Sequence, residues 1–321
     1  MAPRVRSFDV KLARISELEK LGPAAPQKEL EGFLAEPHAY LVGQAAKVIL
    51  SLELRALAPA IATTFMRWIK EPPTPDRGCI LKNLLVETLI KLEVDAPEVF
   101  SAGLRHVQLE MTVGPAPEDV APVLRGMCAV ALVRFDEPGA VLEVTPLLFD
   151  PYPEARIGAA EALKISGQEL SAGILHAKVL SGDGDSEVLG ACYRGLLALS
   201  PRRYLPVVGE ALLSGRVTAA LALGESRLSA ALPLLKEAFD QAVPAQWDTI
   251  LLGVALLRNE EANAYLLSLI ATAPEPRAAS ALGALALHRH DLRLVEKARE
   301  VTSKRKSRLL ASVFREKMGI S

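Results

Sequence analysis

The feature that most constrains this chain is a loose internal repeat of apolar, alanine-rich segments. Each segment ends in Ala-Leu or Leu-Leu, and successive copies are 24 to 35 residues apart. The clearest copies end at Leu132, Leu163, Leu197, Leu221, Leu256 and Leu285. A period of about 20–50 residues is typical of solenoids, in which each unit buries its apolar face against its neighbours. The sequence therefore predicts an array of stacked units.

Composition favours helices as the units of this array. Half of the 321 residues are hydrophobic but only 5% are aromatic, so the core must consist mainly of Ala, Leu and Val. A β-sandwich would favour β-branched and aromatic residues instead. The net charge of −1 does not by itself call for a nucleic-acid partner.

The same sequence predicts a cytoplasmic protein that does not contact a membrane. The first 21 residues lack a continuous apolar core, so we expect no secretory signal. No apolar run reaches the roughly 18 residues that a membrane span requires. Cys79, Cys128 and Cys192 are widely spaced, which predicts reduced thiols rather than a disulfide framework or a zinc site.

The repeating unit is clearest between Asp150 and Ser166. Each proline of Asp150-Pro151-Tyr152-Pro153-Glu154 disfavours helix in the residue before it, and Pro153 suits the first turn of a new helix. Helical spacing of Ala and Leu residues follows. The turn at 183–187, with Asp185 or Ser186 as N-cap, and the turn at 274–277 precede similar segments. The predicted unit is helix, tight turn, helix.

This pattern resembles HEAT repeats of the armadillo-type α-solenoid class from about residue 118 to 302. The resemblance is carried by the turn from Asp150 to Arg156 and by Ala159, Ala160, Ala162 and Leu163. It implies an all-α fold, a right-handed α-α superhelix of about eight or nine helix pairs. We expect residues 1–321 to form a single solenoid, with an N-terminal cap region at 1–36 and a basic C-terminal capping helix at 303–321.

Two irregularities, an inserted loop and a short unit, interrupt the predicted array. The segment from Ala96 to Glu110 is predicted to be one helix, and Met111 to Asp119 inserts a loop that contains Pro and Gly. The unit from Arg216 to Glu225 is short. We expect the shortened unit to change the superhelix locally.

The motifs that would carry catalysis or metal binding are incomplete. None of the five histidines sits in a His-Glu pair, the metal-binding pattern of HEAT-type deoxyhypusine hydroxylases. An EF-hand loop starting at Asp183 would need Gly and Glu where Val188 and Arg194 stand. No glycine loop has the lysine and spacing that cradle a phosphate. The sequence therefore predicts no catalytic, cofactor-binding or metal-binding residues, and the chain is predicted not to be an enzyme.

A candidate partner-binding groove follows the second helices, which line the concave face of HEAT solenoids. Its residues are arginines on or beside those helices, namely Arg125, Arg134, Arg194, Arg216, Arg258, Arg277 and Arg289. Guanidinium groups pair with carboxylates in a forked geometry, so an inward-facing set would suit an acidic peptide or helix. Ion pairs between neighbouring repeats are the alternative interpretation, and the resemblance favours it.

Nucleic acid is the main competing partner. The run Lys304-Arg305-Lys306-Ser307-Arg308, followed by Arg315 and Lys317, concentrates positive charge that could contact phosphates. The N-terminus is basic as well, through Arg4, Arg6, Lys11 and Arg14. HEAT-like DNA glycosylases grip DNA with a helical solenoid, and Trp247-Asp248 could supply a stacking residue and a carboxylate. An anchoring role for Trp247 at the start of a helix is the alternative.

These observations lead to a prediction of function. We expect a cytoplasmic, non-enzymatic scaffold or adaptor that binds a protein through its concave face, without a cofactor. The alternative is a nucleic-acid-binding solenoid, with a HEAT-like DNA glycosylase as its enzymatic form. A HEAT-type chromophore lyase is a third class, for which no residue of the chain argues.

Overall fold

The computed structural model describes residues 7–72 and 75–319, and these residues form an all-α structure. The basic residues Arg4 and Arg6 lie outside the described residues. The chain divides into two compact units, residues 1–166 and 167–321. No helix of the described part is long and apolar enough to cross a membrane.

The first unit contains nine helices and one hairpin within its described residues. The helices are α1 (Ser7–Lys20), α2 (Gln27–Leu34), α3 (Ala39–Ser51), α4 (Ala58–Trp68), α5 (Ile80–Lys91), α6 (Pro97–Leu104), α7 (Pro122–Arg134), α8 (Ala140–Val144) and α9 (Pro153–Ile165). Helices α1, α3, α5, α7 and α9 pack in series, and α2, α4 and α6 form a second layer against them. This two-layer stacking is what helix-turn-helix repeats produce.

The second unit repeats the same plan. Its described helices are α10 (Glu169–Ser181), α11 (Ser186–Leu199), α12 (Pro201–Leu213), α13 (Thr218–Glu225), α14 (Ala231–Gln241), α15 (Pro244–Leu256), α16 (Glu260–Thr272), α17 (Glu275–Leu285), α18 (Leu292–Lys304) and α19 (Arg308–Met318). Helices α11, α13, α15, α17 and α19 pack in series, while α12 packs against α14 and α16 against α18. The all-α helical-repeat architecture is thus confirmed, and α13, at eight residues, is the expected short unit.

One predicted helix is wrong. The segment expected to be helical from Ala96 to Glu110 stops at Leu104, and strands β1 (Leu109–Met111) and β2 (Pro117–Asp119) form an antiparallel hairpin. Leu109 pairs with Asp119 and Met111 with Pro117. Tertiary hydrogen bonds override the helical pattern, because Gln108 N donates to the Asp119 carboxylate at 3.0 Å and Val120 N donates to Gln108 O at 2.9 Å.

The layer of odd-numbered helices contains one very close crossing in each unit. In the first, a Cβ on Gly158 of α9 would overlap the backbone of Gly126 in α7. In the second, a Cβ on Gly224 of α13 would overlap the carbonyl of Gly253 in α15. Only glycine lets two helix backbones approach this closely, so these positions set the spacing of neighbouring helices within the layer.

Arginines also join one repeat to the previous one. Arg67 of α4 donates to the carbonyls of Leu34, Ala35 and Glu36 at the end of α2. Arg305, directly after α18, donates to Ile270, Ala271 and Ala273 at the end of α16. The last carbonyls of a helix accept no hydrogen bond from within the helix. A guanidinium that donates to them therefore holds its own helix against the C-terminal end of the previous one.

Candidate functional site

The last two helices of the described chain, α18 and α19, form a helical hairpin with a basic outer surface. Helix α19 buries Leu310, Phe314 and Met318, which recur every four residues and face its neighbours α17 and α18. Ser307 caps α19 through its hydroxyl, which accepts a hydrogen bond from Leu310 N at 3.2 Å. The remaining faces of both helices carry most of the predicted basic run.

The structure divides this basic run into two groups. In the first group, Lys304 pairs with Glu300 at 2.6 Å and Lys317 pairs with Glu316 at 2.8 Å. Arg305 also belongs to this group, because it donates hydrogen bonds to carbonyls at the end of α16. Among the described residues, the side chains of Lys306, Arg308 and Arg315 have neither an ion pair nor a hydrogen bond. These three exposed cations therefore keep their charge available to a ligand.

The three cations surround a cavity of about 550 Å³ between α18 and α19, which we call the basic cleft. Its other lining residues are Arg299, Thr302, Ser303, Ser307, Ala311 and Phe314. No acidic side chain lines it. Arg299 lies over the Phe314 ring, with its guanidinium carbon 5.9 Å from the ring centroid, and also approaches Glu296 at 3.3 Å. The cleft combines an apolar wall with concentrated positive charge.

Thr302 adds an unsatisfied polar group to this cleft. The residue is 5% exposed, and its Oγ1 has no hydrogen-bond partner within the described part of the chain. A buried hydroxyl without a partner costs about 1–3 kcal/mol, so such groups call for an explanation. Thr302 could not be recognised from the sequence, because one threonine in an amphipathic helix has no distinctive pattern.

The candidate groove arginines of the first unit occupy different environments. Arg125 is 4% exposed and binds Asp119 through Nη1 at 2.6 Å and Asp150 through Nε at 2.9 Å. Arg134 is exposed and approaches Glu93 at 3.8 Å. A guanidinium that is already held by two carboxylates is a structural brace, so Arg125 is not available to an acidic partner.

Two groove arginines of the second unit contact neighbouring helices. Arg194 of α11 approaches Glu225 at the end of α13 at 3.8 Å. Arg277 of α17 lies over the rings of Phe239 and Trp247, at 4.8 and 5.1 Å, and approaches Asp240 at 3.9 Å. These contacts have the geometry that the inter-repeat interpretation expects.

The other three groove arginines of this unit lie near the ends of helices. Arg216, Arg258 and Arg289 are exposed residues in the connections before α13, after α15 and after α17. The concave groove as a whole stays a prediction.

Trp247 lies beside these contacts. Its Nε1 donates to Ala242 O at 3.1 Å and its ring meets Phe239 edge-on, while Asp248 is exposed. Because Arg277 covers one face of the indole, that face is not open to a stacked base.

A second cavity, of about 620 Å³, lies in the first unit beside the hairpin. Asp119, Arg125, Asp150 and Tyr152 line it together with the exposed apolar residues Leu109 and Phe149. Tyr152 Oη accepts from Asp119 N at 3.0 Å, and Asp150 accepts from Tyr152 N at 2.9 Å. Every one of these polar groups therefore already has a partner inside the protein.

The electrostatics of this second cavity argue against acid–base work. Burial raises the pKa of Asp119, but hydrogen bonds from Gln108 N, Ala121 N and the Arg125 guanidinium outweigh it and leave that pKa lower than usual. Asp119 is therefore held ionised, with its oxygens occupied by donors of the protein, and it is poorly placed to take up a proton at neutral pH. Burial lowers the pKa of His106, which does not line this cavity.

A buried hydrogen-bond network around Lys82 lies beneath the β-hairpin. Lys82, which is 0% exposed, binds Asp76 at 3.2 Å and Gln108 Oε1 at 2.7 Å. Gln108 Nε2 in turn donates to Asp76 O and to Glu110 Oε1, both at 2.7 Å. Sequence reasoning missed this network, since Lys82 stands in a helix where a lysine usually faces solvent.

The described residues do not offer an evident metal or thiol centre. They include no group of three or more His, Cys, Asp or Glu side chains that could hold a metal ion. Burial raises the pKa of Cys79 to about 12 and also raises the pKa of Cys128. Neither thiol is ionised at neutral pH, and only the thiolate acts as a nucleophile.

Comparison with known proteins gives a fold-level similarity. No protein-family model matches the chain, and no curated protein matches it significantly. Among solved structures, human deoxyhypusine hydroxylase in complex with glycerol is 18% identical, over 84% of this chain and 98% of that chain, with a TM-score of 0.32.

This match corrects the function predicted from the sequence. The neighbour is an enzyme, so the expectation of a non-enzymatic scaffold or adaptor, and the exclusion of enzymes on which it rested, do not stand. At this level of similarity, neither the neighbour's reaction nor its substrate is transferred to this chain.

Proposed function

We propose that this chain is a helical-repeat protein that binds an acidic segment of a protein partner at its basic cleft. The single observation that carries the proposal is the set of three unpaired cations, Lys306, Arg308 and Arg315, around one cavity. Elsewhere in the described chain many basic side chains lie beside carboxylates, as Lys304 does beside Glu300. Here they surround a cavity that no acid lines.

The charges of the cleft support an anionic ligand. Arg308 and Arg315 lie seven residues apart on α19, so they share one face of the helix with Ala311 between them. Arginine presents a planar fork of donors that matches carboxylate geometry, and two forks on one face would bind carboxylates one or two turns apart. The ligand class that fits this spacing is a segment with several Glu or Asp residues.

The apolar wall supports a peptide rather than a small anion. Phe314 and Ala311 give the cleft a surface on which apolar atoms of a ligand can be buried, and its volume of about 550 Å³ lies within the roughly 300–1,000 Å³ of ligand sites. Charge would steer the partner to the surface, and apolar contact with Ala311 and the small exposed part of Phe314 would add to its binding.

The fold class and location belong to the same proposal. We propose that the helix pairs are of the HEAT type, which is supported by the turn in which Asp150 accepts from Tyr152 N while Arg156 donates to Asp150 O at 2.8 Å. A cytoplasmic location is supported by the buried thiols of Cys79 and Cys128, which form no disulfide.

The test is binding of a fluorescein-labelled Glu-rich peptide, followed by anisotropy at low and high salt. The variant Arg308→Glu/Arg315→Glu should bind about tenfold more weakly or worse, the scale expected when charge-assisted contacts are lost. Glu at position 308 begins α19, where negative charge suits the helix dipole, so the fold should persist.

The matched control is Arg293→Glu/Lys297→Glu. Both residues are exposed on α18 but outside the cleft, and the net charge changes by the same amount. It should bind the peptide nearly as well as the wild type. Equal weakening in both variants, or stronger binding of duplex DNA than of the peptide in the same buffer, would overturn the proposal.

A further inference from the structure

We propose that the basic cleft accepts a phosphate group, carried on a phosphorylated side chain of the acidic segment. This inference rests on the proposed function and specifies its ligand. It would make binding dependent on phosphorylation of the partner.

The charge of the cleft exceeds what a single carboxylate needs. Lys306, Arg308 and Arg315 have no carboxylate of their own among the described residues, and Arg299 lines the same cavity. A phosphorylated side chain carries about −1.5 to −2 charges and three acceptor oxygens at pH 7. Several cations around one cavity are typical of phosphate recognition.

The beginning of α19 contributes backbone donors. Arg308 and Leu309 are the first two residues of this eleven-residue helix, and the first N–H groups of a helix have no acceptor within it. Ser307 already satisfies Leu310 N, so the donors that remain belong to the residues beside the cleft. Such N–H groups and the helix dipole both favour a phosphate oxygen.

Thr302 is the independent observation that points to a ligand. It lines the cleft, is more than nine-tenths buried, and its hydroxyl lacks a partner within the described chain. The hydroxyl oxygen is closed to solvent in this structure, so a phosphate oxygen would reach it only when the Thr302 side chain turns toward the cleft. The phosphate would then supply the missing acceptor, and the cost of the unpaired hydroxyl would be recovered in the complex. A ligand without an acceptor at that point would leave the hydroxyl unpaired.

The remaining lining suits the body of a phosphorylated residue. Phe314 and Ala311 can pack against its methylene carbon and the adjoining backbone. Ser303 Oγ already donates to Glu300 O, whereas Ser307 Oγ accepts from Leu310 N and keeps its proton for a ligand at the rim. The cleft therefore offers separate places for the phosphate and for the peptide that carries it.

The experiment compares three peptides of one acidic sequence by isothermal titration calorimetry with the full chain. They contain phosphoserine, glutamate or serine at the central position. We expect the phosphoserine peptide to bind about tenfold tighter than the glutamate peptide, and inorganic phosphate to compete with it.

Thr302→Val is the diagnostic variant, because it keeps the shape of the side chain and removes the hydroxyl. We expect it to lose the preference for phosphoserine over glutamate while its Tm rises, since the unpaired hydroxyl is gone. Thr272→Val in α16 is the matched control, because Thr272 is exposed and bonds only its own helix at Ser268 O. It should leave the preference intact.

The outcomes separate this inference from the proposed function. Equal affinity for the phosphoserine and glutamate peptides, or an unchanged preference in Thr302→Val, would overturn the phosphate site and leave the acidic-peptide proposal standing. Binding of inorganic phosphate that depends on Thr302, without binding of any peptide, would support the phosphate site and overturn the proposed function. Competition by a nucleoside monophosphate without binding of phosphopeptide would overturn the peptide as carrier.

Discussion

At the scale of single residues, the most unusual position in this protein is Lys82. Its ammonium group is fully buried and is held by the Asp76 carboxylate and by Gln108 Oε1. Asp76 also accepts from Leu81 N at 2.7 Å, so it fixes the start of α5. The lysine and its partners join α5 to the strand that follows α6.

Replacement of Lys82 by methionine should destabilise the protein by about 3–5 kcal/mol. The variant keeps the apolar stem but leaves Asp76 as a buried carboxylate without a cation, and loss of one partner of a buried pair is costly. Urea unfolding at pH 7 measures the change. Lys47→Met on the exposed face of α3 is the control, and it should stay within about 0.5 kcal/mol of the wild type. Equal stability of the two variants would contradict this account.

Asp119 predicts how stability depends on pH. Its folded pKa is lower than usual, because the hydrogen bonds of the ionised form outweigh burial. The unfolded value is about 3.9. The stabilisation from Asp119 is therefore complete above that value and is lost as the pH falls through the lower, folded pKa.

Urea unfolding of wild type and Asp119→Asn between pH 7 and pH 3 tests this prediction. We expect the variant to be less stable at pH 7, and we expect the difference between the two proteins to shrink as the pH falls below about 4. Other carboxylates titrate in both proteins, so the difference isolates Asp119. A gap that stays constant down to pH 3 would show that Asp119 titrates normally.

At the scale of helices and strands, the glycine crossing of α7 and α9 decides the packing of the first unit. Gly158→Ala should destabilise by about 1–3 kcal/mol, because the new methyl overlaps the Gly126 backbone and an over-packed contact must open. Gly173→Ala in α10 is the control, since a Cβ there meets nothing within 4 Å. It should stabilise by about 0.5–1 kcal/mol, as alanine is the better helix former. Thermal unfolding of both variants provides the measurement, and a stabilised Gly158→Ala would be the contrary result.

The helices were predictable from the sequence, and the hairpin was not. Helical spacing of Ala and Leu predicts α9, and Asp185 caps α11 as expected, with its carboxylate accepting from Glu187 N at 2.8 Å. The segment from Leu104 to Glu110 follows a helical pattern locally, but Gln108 and Asp119 meet only in the folded chain. Local patterns cannot anticipate such long-range hydrogen bonds.

The candidate site was predictable only in part. The basic run after Lys304 is plain in the sequence, but its division into paired and unpaired cations depends on which carboxylates and carbonyls lie nearby. Arg125 shows the converse case. It was expected in a groove, and it lies buried between Asp119 and Asp150, which come from different parts of the chain.

At the scale of the whole molecule, a destabilising substitution in one compact unit should leave the stability of the other unit largely unchanged. Each unit has its own packed layers, and repeat proteins transmit stability mainly between neighbouring repeats. In Lys82→Met, we expect faster hydrogen exchange in the helices between residues 7 and 166. The helices between residues 169 and 318 should keep their protection. Mass spectrometry of the full chain provides the measurement, and uniform loss of protection would contradict it.

The position of Arg305 within the basic run has a consequence for how this protein can evolve. Arg305 fastens the last hairpin to α16, while Lys306 and Arg308 carry no structural bond among the described residues. Selection can therefore change Lys306, Arg308 and Arg315, and with them the charge of the cleft, without loosening the end of the protein. Related chains should keep an arginine at the position of Arg305 and vary at the other three positions. The same α18–α19 hairpin could then bind ligands of different charge.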